Sequence, residues 1–102
     1  MRAKLTTLQA AAALVQDGQS VAFGGSLLHR NPASFARELA RQGRRHLEFL
    51  KPSPAYDLDL LVAAGAVDRV QSGIVTFEAP FGLAPSYRKA VESGSLQIRE
   101  HA

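Results

Sequence analysis

The chain has 102 residues, no cysteine, no tryptophan and a formal charge of +3. That suits one hydrophobic core of modest size and excludes disulfides, thiolate catalysis and cysteine-based zinc sites. Of its hydrophobic residues, 17 are alanine and 13 leucine, which predicts closely packed, small-residue helices, and no stretch approaches the ~20 apolar residues of a membrane span.

The N-terminus lacks the pattern of a secretory signal, because Thr6, Thr7 and Gln9 interrupt it; a cytoplasmic protein is the default expectation. Leu5, Leu8, Ala12 and Val15 recur at helical spacing, with Thr6 or Thr7 available as a cap and Gly18 just past the end. Ser20 to Phe23 reads as a short strand running into Gly24-Gly25. Asn31-Pro32 predicts a helix start, with Asn as the cap and Pro in the first helical position, and the helix runs to about Gln42 before Gly43. Its apolar face carries Phe35, Ala36, Leu39 and Ala40, and its outer face Arg37, Arg41 and Arg44, with Arg45 following. Glu38 is placed to pair with Arg41 or Gln42. This arginine cluster reads as a solvated helix face. It lacks interleaved aromatics or a reading module, so no nucleic-acid partner is expected.

His46 to Leu50 predicts a strand stopped by Pro52 and Pro54. Asp57 to Ala64 predicts a helix with Asp57 and Asp59 at its positive end and Gly65 beyond it. Val67–Val70 and Ile74–Phe77 read as β-branched strand segments around Ser72-Gly73, Pro85–Ser93 as a helix ended by Gly94, and Leu96–Arg99 as a last strand. Helices and strands in alternation imply an α/β fold, a mostly parallel sheet with helices on both faces and ligand loops at the carboxyl ends of its strands.

The loop from Gly24 to Pro32 follows a strand and opens a helix, where backbone amides and the helix dipole favour anions. It matches neither a P-loop nor a Rossmann fingerprint. Ser26, His29 and Arg30 add a hydroxyl, an imidazole and a guanidinium; Arg30 is electrostatically disfavoured there unless an anion or carboxylate is near. The Gly24-Gly25 pair also fits a plain tight turn. Glu78 and Glu100 each follow a strand signal, where carboxylates often face a crevice, and the apolar stretch from Ala79 to Pro85 is expected to be packed. His29, His46 and His101 lie far apart without paired spacing, so no metal site is expected.

Asp17-Gly18-Gln19-Ser20-Val21-Ala22-Phe23-Gly24-Gly25, followed by Pro32, resembles the N-terminal signature of family I coenzyme A transferases. Ser26 departs from the family's usual Phe, and Arg30 from its later Gly. His29-Arg30-Asn31-Pro32, Leu60 to Val67 and Phe81 to Gly94 resemble the glutaconate CoA-transferase α-subunit branch, which includes relatives that open rings in steroid breakdown.

The resemblance spans nearly the whole chain and implies a single partial α-subunit-like domain over residues 1–102, open and incomplete, since the family's α-subunits are longer. It implies movement of coenzyme A, as a substrate rather than a bound cofactor, between carboxylic acids. In the family a glutamate attacks the acyl-CoA thioester. That glutamate usually lies in a Ser-Glu-Asn-Gly motif on the β-subunit or C-terminal half, and this sequence has no such motif. The expected partners are therefore a β-subunit, an acyl-CoA and a carboxylic acid, in a hetero-oligomer or a self-associating chain. Gly24, Gly25, Ser26, His29 and Arg30 are the expected substrate-binding residues, and Glu100 is a secondary catalytic candidate. Two alternatives stay open: a thioester-hydrolysing or ring-opening relative, and a truncated binding protein without chemistry.

Overall fold

Thr7 accepts a hydrogen bond from the Ala10 amide at 3.1 Å and so opens α1 (Leu8–Ala13). The computed structural model describes residues 5–76 and 82–101. In these, α1 is followed by β1 (Ser20–Ala22), α2 (Ala33–Arg41), β2 (Leu47–Leu50), α3 (Tyr56–Ala63), β3 (Val67–Ser72), α4 (Pro85–Ser93) and β4 (Gln97–Glu100). Most boundaries fall within a residue or two of the sequence expectation, the usual latitude of a frayed end.

The strands form one all-parallel sheet in the order β1-β2-β3-β4. Register aligns Val21, Phe49, Val70 and Ile98 in one row across it, and this row faces the core. Phe49 is fully buried, with the Phe23 ring 4.9 Å away and Phe35 next in line at 5.9 Å from Phe23. Each helix packs against the next, α1 on α2, α2 on α3 and α3 on α4. Ala12 and Ala36 are completely buried, and their small side chains allow that close approach. Sequential strand order with right-handed crossovers brings successive helices to the same side. In the described residues the helical cover accordingly lies on one face. The opposite face carries the rows Ser20–Glu48–Arg69–Gln97 and Ala22–Leu50–Gln71–Arg99, which are polar apart from Ala22 and Leu50.

Local departures have local causes. Asn31 does not cap α2: its side-chain amide donates to the Leu27 carbonyl at 2.8 Å, so Pro32 becomes the N-cap and the helix starts at Ala33. Ile74 to Thr76 carry no strand pairing. Phe77, Glu78 and the loop through Phe81 lie outside the described residues. Two helix ends are closed from other elements. Asp59 of α3 accepts from the Tyr87 amide of α4 at 2.7 Å, supplying the cap that Ala84 cannot. Arg45 donates to the carbonyls of Ala64 and Gly65, closing α3 rather than the helix it follows.

Candidate active site at the strand ends

The loop after β1 folds back on itself. Ser26 and His29 exchange backbone hydrogen bonds at 3.0 and 2.8 Å, and the Leu27 amide donates to the Ser53 carbonyl at 2.7 Å. Leu27 and Arg30 hold φ angles of 51° and 54° and Gly25 one of 90°, so the turn depends on backbone conformations that L side chains rarely adopt. A Cβ on Gly25 would stand 2.4 Å from the Arg30 carbonyl oxygen; here glycine is required by the loop's own backbone. A Cβ on Gly24 would meet nothing within 4 Å. The structure therefore supports the tight-turn reading of Gly25, and the amides of Ser26, Leu27 and His29 are engaged within the protein. Ser26, His29 and Arg30 are exposed, so their side chains are what this loop presents to a ligand.

Gly24, Gly25, Ser26, His29 and Arg30 are thus together at the carboxyl end of β1. Glu100, the last residue of β4, sits at the same end of the sheet but three strands away, about 14 Å at ordinary strand spacing. It lies beside Tyr87, whose hydroxyl is pushed above its usual range by burial and by the Glu100 charge, against a hydrogen bond with Ser72.

Between these two sites lies a feature that the sequence pattern did not single out. A cleft of about 590 Å³ opens at the carboxyl ends of β2 and β3, lined by residues from Leu50 to Ser53 on one side and by Gln71, Ile74 and His101 among those on the other. Beneath it, Lys51 and Asp57 form an ion pair of 2.6 Å, with both side chains 0% exposed. Asp57 also accepts from the Ala55 and Leu58 amides at 3.1 and 2.9 Å, so the carboxylate is held by three donors. The available signal was a lysine directly after an apolar strand, followed by Pro-Ser-Pro and an aspartate six residues on.

A hydrogen-bonded chain crosses the helix-free face toward the cleft. Ser20 donates to Glu48 at 2.7 Å, Gln71 donates to Glu48 at 3.2 Å, and the His101 ring meets the Gln71 carbonyl oxygen at 3.0 Å. The Ser20 and Gln71 hydrogen bonds hold the Glu48 carboxyl below its ordinary range, helped by Arg69 and Arg99 and opposed by burial. A carboxyl depressed in the folded state adds stability above the unfolded-chain value, about 4.3 for Glu, and that stability is lost as pH falls through the folded value. Urea melts at neutral and acid pH should therefore differ less for Glu48→Gln than for the unaltered chain. An unchanged difference would place the acid sensitivity elsewhere.

The arginine cluster is occupied internally. Arg41 and Gln42 both donate to Glu38, Arg37 lies 5.9 Å over the Tyr56 ring, and Arg44 donates to Gln42 at 3.1 Å. Arg45 holds the end of α3. Among the described residues no group of three or more His, Asp or Glu could hold a metal ion, and no helix is long and apolar enough to cross a membrane.

Residues 5–101 match the family model described as Coenzyme A transferase. The chain is 32% identical over 97 residues to the cholesterol ring-cleaving hydrolase IpdA subunit of Mycobacterium tuberculosis, covering 95% of this chain and 33% of that protein. It is also 32% identical to the α-subunit of 3-oxoadipate CoA-transferase from Pseudomonas knackmussii, covering 96% of this chain and 35% of the relative. The solved glutaconate coenzyme A-transferase of Acidaminococcus fermentans superposes with a TM-score of 0.91 at 28% identity, over 98% of this chain and 32% of that one. The chain spans about a third of the length of these relatives.

Proposed function

The chain belongs to the coenzyme A transferase family, and from that membership we propose that it is the α-subunit-like part of an enzyme moving coenzyme A between carboxylic acids. The observation that carries this reading is the family match over residues 5–101, supported by identity to a CoA-transferase α-subunit over 96% of the chain. A partner β-subunit supplies the nucleophilic glutamate, consistent with the absence of Ser-Glu-Asn-Gly from these 102 residues. That carboxylate attacks the thioester carbon; the C–S bond breaks, coenzyme A leaves as the thiolate, and an acyl-glutamyl anhydride forms. The thiolate then attacks the glutamyl carbonyl and releases the first acid. A second acid repeats both steps in reverse. The Gly24-Gly25 backbone and the side chains of Ser26, His29 and Arg30 line the substrate side, and the Arg30 guanidinium suits a substrate carboxylate.

A hydrolytic or ring-opening variant is the second reading, favoured by the identity to the IpdA subunit; there Glu100 is the carboxylate to test. The experiment is co-expression with a β-subunit carrying the glutamate motif, followed by an acyl-CoA assay with and without an acceptor acid. The chain alone is expected to be inactive and the pair to require the acceptor. Thioester loss without acceptor, abolished by Glu100→Gln, would replace transfer with hydrolysis. A pair that neither binds nor turns over any acyl-CoA would leave a binding protein without chemistry.

A further inference from the structure

We propose that Gln71 positions His101 so that the cleft at the carboxyl ends of β2 and β3 binds a neutral ligand through that ligand's N–H or O–H donors. The inference starts from Glu48. An ionised carboxylate only accepts hydrogen bonds, so the Gln71 side-chain NH2 must face it, as the 3.2 Å contact shows. The other end of the Gln71 amide, its carbonyl oxygen, then faces His101 Nε2 at 3.0 Å. A carbonyl cannot donate, so Nε2 carries the proton and donates it. In the neutral ring this leaves Nδ1 unprotonated, an acceptor on a residue that lines the cleft. Tautomer and ring orientation are thus set two residues away.

The remaining polar groups of the cleft point the same way. The Lys51 amide donates to the Gln71 carbonyl, the Gly73 and Ile74 amides both donate to the Pro52 carbonyl, and the His101 amide donates to the Ser72 carbonyl. The Lys51 ammonium is held by Asp57. The donors of these residues are engaged, and apart from the Ser53 hydroxyl, which works either way, the cleft offers acceptors. Leu50, Pro52 and Ile74 supply apolar wall. An anionic carboxylate finds no matching donors here, and it finds the Glu48 charge behind Gln71. A neutral, partly apolar chain bearing amide N–H groups fits. On the coenzyme A reading, on which this choice of ligand rests, the pantetheine arm is such a chain.

The test uses the full chain with 15N-labelled histidine and reads His101 by long-range 15N–1H correlation. Before any ligand is added, Nε2 should be protonated, with a proton slow to exchange in the unaltered chain and fast in Gln71→Leu. Pantetheine should then shift the Nδ1 resonance saturably, and acetate should not. Gln71→Leu and His101→Phe should each weaken pantetheine binding about fivefold, the worth of one neutral hydrogen bond. Protonated Nδ1, or acetate competing as well as pantetheine, would overturn the inference. So would an unchanged Nδ1 signal with pantetheine while the α/β pair turns over acyl-CoA. The ligand-free tautomer does not depend on coenzyme A; failure of the family chemistry would appear instead as an inactive pair with the tautomer intact.

Discussion

Asp57→Ala is expected to cost about 3–5 kcal/mol, the penalty for leaving one partner of a buried ion pair alone. The variant strands the Lys51 ammonium, which is 0% exposed, and removes the acceptor of the Ala55 and Leu58 amides. In a chain of this size that is a large part of a total stability of about 5–15 kcal/mol. The melting midpoint should fall by roughly 15–30 °C, read by circular dichroism. Lys51→Met should be milder, since Asp57 keeps both amide donors. Combining Lys51→Met with Asp57→Asn removes both charges while retaining an oxygen for the amides, and should regain much of the loss. A midpoint shift under about 5 °C for Asp57→Ala would mean that the pair contributes little to folding.

Gly25→Ala should destabilise by about 2–4 kcal/mol, the combined strain of a left-handed backbone and a forced displacement. The added methyl would stand 2.4 Å from one carbonyl oxygen and 2.7 Å from another, both in the backbone of the same turn; no rotamer change relieves it. Gly24→Ala meets no atom within 4 Å and should stay within about 0.5 kcal/mol of the unaltered chain. The pair of variants separates two roles for the glycines. Both should be compared by urea melt and by acyl-CoA turnover with a β-subunit. Loss of turnover in Gly24→Ala at full stability would show that this position approaches substrate. Equal melts for the two variants would refute the turn argument.

Punctuation made the elements legible. Pro85 and Gly94 bracket α4 as the chain shows it, and Gly43 and Gly65 end α2 and α3 within two residues. The glycine loop was legible because a strand-to-helix turn of that kind has few uses. Long-range pairings were not. Lys51 reads by default as a solvated lysine, and nothing local reveals that Asp57 lies under the same loop. Asp59 and Arg45 were read against their own elements, whereas each closes a neighbouring helix. Glu48, Gln71 and His101 meet only through cross-strand register, and a one-residue slip would send each to the other face.

The sequential strand order also bears on how the chain acquires its shape. Each strand pairs only with the one before or after it, across separations of about 20 to 28 residues, and each helix docks on its predecessor. Loop closures of this size carry a modest entropic cost, and none must wait for a distant segment. Assembly can proceed one βα unit at a time, in the direction in which the ribosome delivers them. Phe49 on β2 is where the first such unit acquires an interior. Phe49→Ala should therefore slow folding as well as weaken the fold, whereas changes on α4 should act mainly on the unfolding rate.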